Sequence, residues 1–365
     1  MDWDALTAAG LYDPQAPNAA DRRALLEFLD AQGCALDEMV AADAKGRLFG
    51  LAGDRIVRPG REEYTLREAA AEVGADVTLV ERLWQAFGLP IVDPDVTVAT
   101  RDDVDTMPLF VTIAGVLGEE GALGLARVLG SSVARFADAA SAALRSTVAD
   151  LAIDTSGSEL ATAQAYAQIA AVTPAVGRAL DVVLRHHIDA ARRQFEQSDS
   201  NDVALLGQVR GAVGFADVSG FTALSQVATA AELSRLLTTF ENVATTLVQE
   251  RGGRVVKFIG DAVMFVTPRA ASAVDIARAM VAWVAERDAP SVRAGLSYGL
   301  LLSQDGDYFG PPVNLAARLA AVAEPGQVLL SADLNEKVKD AYDTVALAAR
   351  TLRGIADPVV AYAVR

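Results

Sequence analysis

Apolar residues recur along this chain at two different spacings, and the spacing changes near residue 200. Before that point the period is helical. The stretch 66–90, LREAAAEVGADVTLVERLWQAFGLP, predicts two helices broken near Gly74 and stopped by Pro90. From Pro108 to Asp150 the chain is rich in Ala, Leu and Val, with glycines punctuating it near 115–130. A further helical pattern runs from Glu159 to Gln197, where Pro174 and Gly177 are expected to kink or divide it. In its last part Leu180, Val183, Leu184, His187, Ile188, Ala191 and Phe195 fall on one face.

After residue 200, short apolar runs alternate with amphipathic helices. VRGAVGFADV (209–218) reads as a buried strand. Leu233, Leu236, Leu237, Phe240, Val243, Ala244 and Leu247 mark a helix that Gly252 and Gly253 end, since glycine accepts a left-handed cap without steric cost. RVVKFIGDAVMFV (254–266) predicts a hairpin about a tight Gly260–Asp261 turn. A helix over 270–287, a strand over 292–302, a helix over 313–323 and strands near 327–331, 344–349 and 359–364 complete an α+β sandwich.

Charge sharpens this division. Residues 203–365 hold 15 Lys/Arg and 16 Asp/Glu of the chain's 32 and 48, net −1; the preceding residues hold 17 and 32, net −15. The polar segment EQSDSND (196–202) marks the join. The expected organisation is an all-helical regulatory domain over 1–177, a linker helix over 178–202 and a catalytic domain over 203–365. With 365 residues there is ample apolar material for two cores. The single cysteine, Cys34, excludes an internal disulfide and fits a reducing compartment. MDWDALTAAG lacks the basic start of a signal peptide, and uninterrupted apolar stretches fall short of a membrane span, so a cytoplasmic protein is expected.

The chemistry lies in three segments of the second half. FADVSGFT (215–222) and GGRVVKFIGDAVMFV (252–266) place Asp217 and Asp261 each at the edge of an apolar strand. Two acids at adjacent strand ends can hold a pair of divalent cations, a means of driving displacement at phosphorus. DYFGPPVNLAARL (307–319) adds Asn314 and Arg318, four residues apart on one helix face. An isolated strand-end Asp would read as a turn cap and an isolated helix Arg as a solvated charge; the combination is specific.

Together these segments, over roughly 203–365, resemble the catalytic domain of class III nucleotidyl cyclases. The resemblance implies a ferredoxin-like, palm-type core and cyclisation of ATP, the ribose 3′-hydroxyl attacking the α-phosphorus as pyrophosphate leaves. It implies two Mg2+ or Mn2+ per site, held by Asp217 and Asp261 with the backbone carbonyl of Val218 as an extra ligand. Lys257 and Asp307 match positions that read the purine: Lys donates to adenine N1 and Asp accepts from the exocyclic amine. Either one alone would read as half of a surface ion pair. Asn314 is expected to orient the ribose and Arg318 to stabilise the pentacovalent phosphate, which an always-charged, bidentate guanidinium suits. Gly220, Phe221 and Thr222, with Gly260, are expected to line the substrate, the glycines allowing backbone to approach phosphate. The resemblance also implies a homodimer with two shared sites, metal acids from one subunit and the base-reading and transition-state residues from the other.

Other readings carry less. A diguanylate cyclase shares the palm, but the turn here reads Ile259-Gly260-Asp261-Ala262 rather than that family's Gly-Gly-Asp/Glu-Glu-Phe. A guanylyl cyclase would carry different side chains at 257 and 307. Residues 61–92 look like a DNA-binding helix-turn-helix, yet they hold three Arg and six acids where phosphate contact needs a basic face. The architecture as a whole resembles the mycobacterial acid-activated adenylyl cyclases, which implies regulation by pH through the helical half. The only histidines, His186 and His187, sit on the helix entering the catalytic half and are the candidate sensors, with Asp189 one turn from His186. Carboxylates are the alternative sensor, and whether an apolar ligand fills the helical core stays open.

Overall fold

Side-chain caps decide where several helices of the first half begin. Asp2 caps α1 (Trp3–Ala8), Asp76 caps α6 (Val77–Ala86), and Thr65/Glu68 and Thr100/Asp103 form capping boxes on α5 (Leu66–Glu72) and α7 (Arg101–Leu117). The computed structural model describes residues 1–90, 93–147, 158–196, 207–285 and 290–365. These fall into two units, Met1–Ile188 and Asp189–Arg365. The division lies inside one helix; Gly177 causes no break, and residues 197–202 of the expected join lie outside the described residues.

Among its described residues the first unit is helical apart from one short ribbon, β1 (Tyr64–Thr65) paired with β2 (Thr97–Ala99). Its other helices are α2 (Ala19–Ala31), α3 (Leu36–Asp43), α4 (Leu51–Val57), α8 (Glu119–Thr147), α9 (Glu159–Ala170) and α10 (Thr173–Glu196). Leu25, Leu26, Leu29 and Leu48 are fully buried with Cys34, Met39 and Ala163 in one core. Arg22 ties α9 back to this core, donating to Glu159 at 3.0 Å while also pairing with Asp43. A second cluster joins Leu83, Ala122, Leu123 and Ala126, with Phe87 and Phe110 edge to face at 4.7 Å. Beside it Trp84, Phe87, Met107 and Phe110 line an apolar cavity of about 240 Å³.

Several expectations for this half are corrected. The second helix of 66–90 ends at Ala86, with Gly88 left-handed (φ 77°) two residues before Pro90. Of the glycines near 115–130 only Gly118 (φ 78°) separates helices, and Pro108 lies inside α7. Pro174 is the second residue of α10, so the division falls at Ala171–Val172. Most consequentially, the apolar stripe of α10 is not buried by the described residues of its unit: Leu180, Val183, Leu184 and Ile188 are all exposed. The run Glu159–Arg192 is long and apolar enough to cross a membrane by length and composition, but it spans that break and its first helix is packed on the unit's core. In the helix-turn-helix-like segment, Arg82 pairs with Glu119 and Glu120, and Arg67 with Asp95. Arg61 pairs with Asp37 at 3.3 Å and Glu38 at 3.6 Å, so all three of its arginines are already neutralised.

The second unit is the expected ferredoxin-like sandwich. Its central strands are β3 (Gln208–Val218), β4 (Arg254–Ile259), β5 (Ala262–Thr267) and β6 (Val292–Gln304), in the antiparallel order β4-β5-β3-β6. β8 (Val328–Leu330) extends the sheet in parallel from β6, followed by β10 (Tyr362–Val364) and β9 (Thr344–Ala346). Alternation along β3 sends Ala212, Ala216 and Val218 to one face, where they meet α12 (Ala230–Glu250) and α13 (Ala270–Ala285). Val213 and Phe215 face the other way, toward Met264, Val266 and α14 (Pro311–Val322). Gly295 of β6 lets α14 lie directly on the sheet, because a Cβ there would stand 2.1 Å from the Ala320 nitrogen.

Three elements of this unit escaped the sequence reading. They are α11 (Phe221–Leu224), α15 (Ala332–Val338) and β7 (Asp307–Phe309), which pairs with β6. The β6–β7 turn uses Asp305 and Gly306, both at positive φ, an Asp-Gly hairpin signal present in the sequence.

Candidate active site

Asp217 stands one residue before the end of β3, paired in register with Ala262 on one side and Arg293 on the other. Asp261 occupies the β4–β5 turn, where Gly260 at φ 61° makes the reversal possible. The Val218 N–H donates to the Asp261 carbonyl at 3.2 Å, stitching the end of β3 to that turn. This puts the two acids side by side. Burial pushes the Asp261 carboxyl above the usual carboxylate range, and the neighbouring Asp217 charge adds to the rise.

Arg293 lies directly across from Asp217 and holds its Oδ2 with two donors, Nε at 3.0 Å and Nη2 at 2.7 Å. Its third nitrogen reaches the far end of α14, donating to Ala321 O at 3.1 Å and Ala323 O at 3.5 Å. Sequence reasoning missed Arg293, because cross-strand register places it and no local motif announces it. It missed Ser219 as well, whose buried Oγ lacks a hydrogen-bond partner among the described residues.

Lys257 on β4 and Asp307 on β7, fifty residues apart in sequence, form an ion pair, each side chain partly exposed. The Tyr308 N–H donates to Asp307 Oδ1 at 2.8 Å, and Arg254 stacks over the Tyr308 ring at 5.3 Å. The two positions that the resemblance assigns to base reading are thus brought together. Partial exposure makes the pair worth little as a fold-stabilising contact.

Asn314 and Arg318 lie on the exposed side of α14, whose buried side is Ala316, Leu319 and Ala320. Gly310 (φ 125°) and Pro311–Pro312 start that helix, proline fitting a first turn where its missing donor costs nothing. No side-chain hydrogen bond or ion pair joins Asn314 or Arg318 to another described residue. Gly220 (φ 79°) precedes α11, and a Cβ at Gly220 or Gly260 would meet nothing within 4 Å, leaving open space at both. Phe221 packs on the main core, and the Thr222 side chain lies outside the described residues. His186 and His187 are exposed on α10, and Asp189 accepts from Arg192 at 3.2 Å.

The described residues contain no cluster of three or more His, Cys, Asp or Glu side chains able to hold a metal. A cation here would rest on the Asp217 and Asp261 carboxylates, a backbone carbonyl such as Val218 and oxygens of a ligand. That all-oxygen donor set fits Mg2+ or Mn2+ and would not suit a soft metal.

Residues 5–191 match the family model described as adenylate cyclase regulatory domain, and residues 208–365 match that of the adenylate and guanylate cyclase catalytic domain. An uncharacterized protein of Mycobacterium tuberculosis (strain H37Rv) is 44% identical over 365 residues, covering 99% of this chain and 94% of its own. A protein named adenylate cyclase from Glutamicibacter nicotianae is 32% identical over 289 residues, 75% of this chain and 71% of its own. A protein of M. tuberculosis (strain CDC 1551) named pH-sensitive adenylate cyclase is 31% identical over 362 residues, 95% and 88% of the two chains.

Proposed function

This chain belongs to the adenylate cyclases that join an adenylate cyclase regulatory domain to a cyclase catalytic domain, and we propose that it converts ATP to 3′,5′-cyclic AMP and pyrophosphate. The observation that carries the reading is the convergence of Asp217 and Asp261 at the β3 and β4–β5 ends. Divalent cations bound there would lower the pKa of the ribose 3′-hydroxyl and neutralise charge on the departing pyrophosphate. Asp217 and Asp261, with the Val218 carbonyl, would hold them.

The remaining roles fall to side chains that the fold leaves available. Lys257 and Asp307 present one donor and one acceptor side by side, the complement of adenine N1 and its exocyclic amine; guanine offers the reverse order. Their mutual ion pair gives way as the base inserts its edge. Asn314 orients the ribose. Arg318, exposed and without a partner of its own among the described residues, meets the charge that builds on the α-phosphate. Gly220 and Gly260 leave room for phosphate, with Phe221 and Thr222 beside it.

The exposed Asn314 and Arg318 point to a second subunit. In a two-fold homodimer each would face the partner's metal acids, forming two shared sites. Regulation acts through the helical half, read as residues 1–177 with a linker over 178–202, and responds to acid; one relative carries the name pH-sensitive adenylate cyclase.

The purified full chain is tested with ATP and Mn2+, product being followed as cyclic AMP and pyrophosphate. Asp217→Ala and Asp261→Ala should each abolish turnover, and Arg318→Ala should lower kcat by about 10²–10³-fold, the usual loss of one donor to developing charge. Turnover that survives either Asp substitution contradicts the site assignment.

A further inference from the structure

We propose that Arg293 competes with divalent cations for Asp217 and couples the outcome to α14. This rests on the metal assignment above and adds to it a residue which sets metal affinity.

The geometry is specific. Arg293 and Asp217 are directly opposed across the β3–β6 ladder, so backbone pairing fixes their separation. Two guanidinium donors converge on Oδ2, at 2.7 and 3.0 Å, while the same side chain reaches Ala321 O and Ala323 O where α14 ends. One side chain thus spans a metal acid and the C-terminal end of the helix that carries Asn314 and Arg318. Both contacts suit its chemistry: a carboxylate accepts a forked guanidinium, and a helix C-terminus favours a cation.

A guanidinium keeps its charge at every pH of interest. A dication arriving at Asp217 therefore meets a positive charge already seated on one carboxylate oxygen, and either shares that carboxylate or displaces the arginine. In both cases Arg293 weakens cation binding. When it is displaced, the two carbonyls at the end of α14 lose their donor as well. Cation binding at β3 is in this way felt at the helix that carries the transition-state residues. Asp261 is the other charged group at this point, and it attracts the cation that Arg293 opposes.

The test is Mn2+ binding to the full-length protein without nucleotide, read by electron paramagnetic resonance, beside kcat and thermal unfolding. Asp217→Asn is the control. If it leaves Mn2+ binding unchanged, the metal assignment itself fails, and this proposal with it. If the assignment holds, Arg293→Gln should bind Mn2+ at least tenfold more tightly than wild type while kcat falls at least tenfold. Arg293→Lys keeps the charge but cannot span three acceptors, so its Mn2+ affinity should stay within about threefold of wild type while kcat falls. Unchanged or weaker binding by a cooperatively folding Arg293→Gln overturns the competition. If Arg293→Gln does not fold, tenfold tighter binding by Arg293→Lys overturns it instead. An unchanged kcat in Arg293→Lys overturns the link to α14.

Discussion

Asp261 shows how far a single residue's environment shapes the proposed chemistry. Burial, and then the Asp217 charge, hold its carboxyl above the ordinary range. Because its folded pKa exceeds its unfolded one, its contribution to stability is fully present below the unfolded value and is lost as pH rises through the folded value. Metal binding runs the other way, since a proton competes with the cation. Mn2+ affinity should therefore begin to fall on acidification at a higher pH than an unperturbed aspartate would give, and a titration of affinity against pH checks this. Any activation by acid must then overcome a loss at the catalytic centre itself. Lys257 and Asp307 allow a second residue-scale prediction. Replacing them with Glu and Cys should strongly lower ATP turnover, since a polar group left wrongly paired once the base covers it costs on the order of 1–3 kcal/mol. An unchanged ATP/GTP preference would place base reading elsewhere. Cys34 gives a third. It is 5% exposed and burial pushes its thiol up to about 11, so it should resist a thiol reagent at pH 8 until the first unit unfolds. The motif residues of the site were legible in sequence because each sits in a local pattern. Arg293 was not, because its partner is set by register between strands far apart in the chain.

At the scale of elements, the helix–sheet contact at Gly295 is the tightest constraint on the site. A methyl group there would press on Ala316 O and Ala320 N, backbone atoms that cannot rotate away. Gly295→Ala should cost roughly 1–3 kcal/mol by overpacking and lower activity by displacing α14, read as a fall in both unfolding midpoint and kcat. A wild-type kcat would mean that the helix position is not critical. Most elements of the second unit followed from apolar period: β3, the 254–267 hairpin, α12 and α14 all lie within a few residues of expectation. The short β7 and α15 did not, being too brief to carry a period, although Asp305-Gly306 marks the β6–β7 turn and Ser331 caps α15. In the first half the glycines misled. Gly118 breaks a helix through its positive φ, whereas Gly130 stays helical and admits the Phe87 backbone, a tertiary contact invisible in sequence.

Over the whole molecule, the sequence conveyed the family, but not the exposure of the apolar stripe of α10. Periodicity reports that Leu180, Val183, Leu184 and Ile188 share a face; only the structure shows that the described residues of their unit leave that face exposed. His187 shares this stripe, so charging it would disfavour any apolar partner there. The net −15 ahead of residue 203 adds self-repulsion that protonation relieves. If the histidines sense acid, replacing both His186 and His187 with Asn should change the shape of the full chain's pH–activity profile. An unchanged shape clears them and leaves carboxylates as the sensor. The central claim is larger than either histidine: one polypeptide supplies metal acids to one site and Arg318 to another. Mixing inactive Asp261→Ala with the strongly impaired Arg318→Ala tests it most directly. After subunit exchange, mixed dimers carry one intact site and cyclic AMP production should recover in part; no recovery, with exchange demonstrated, would contradict the shared site.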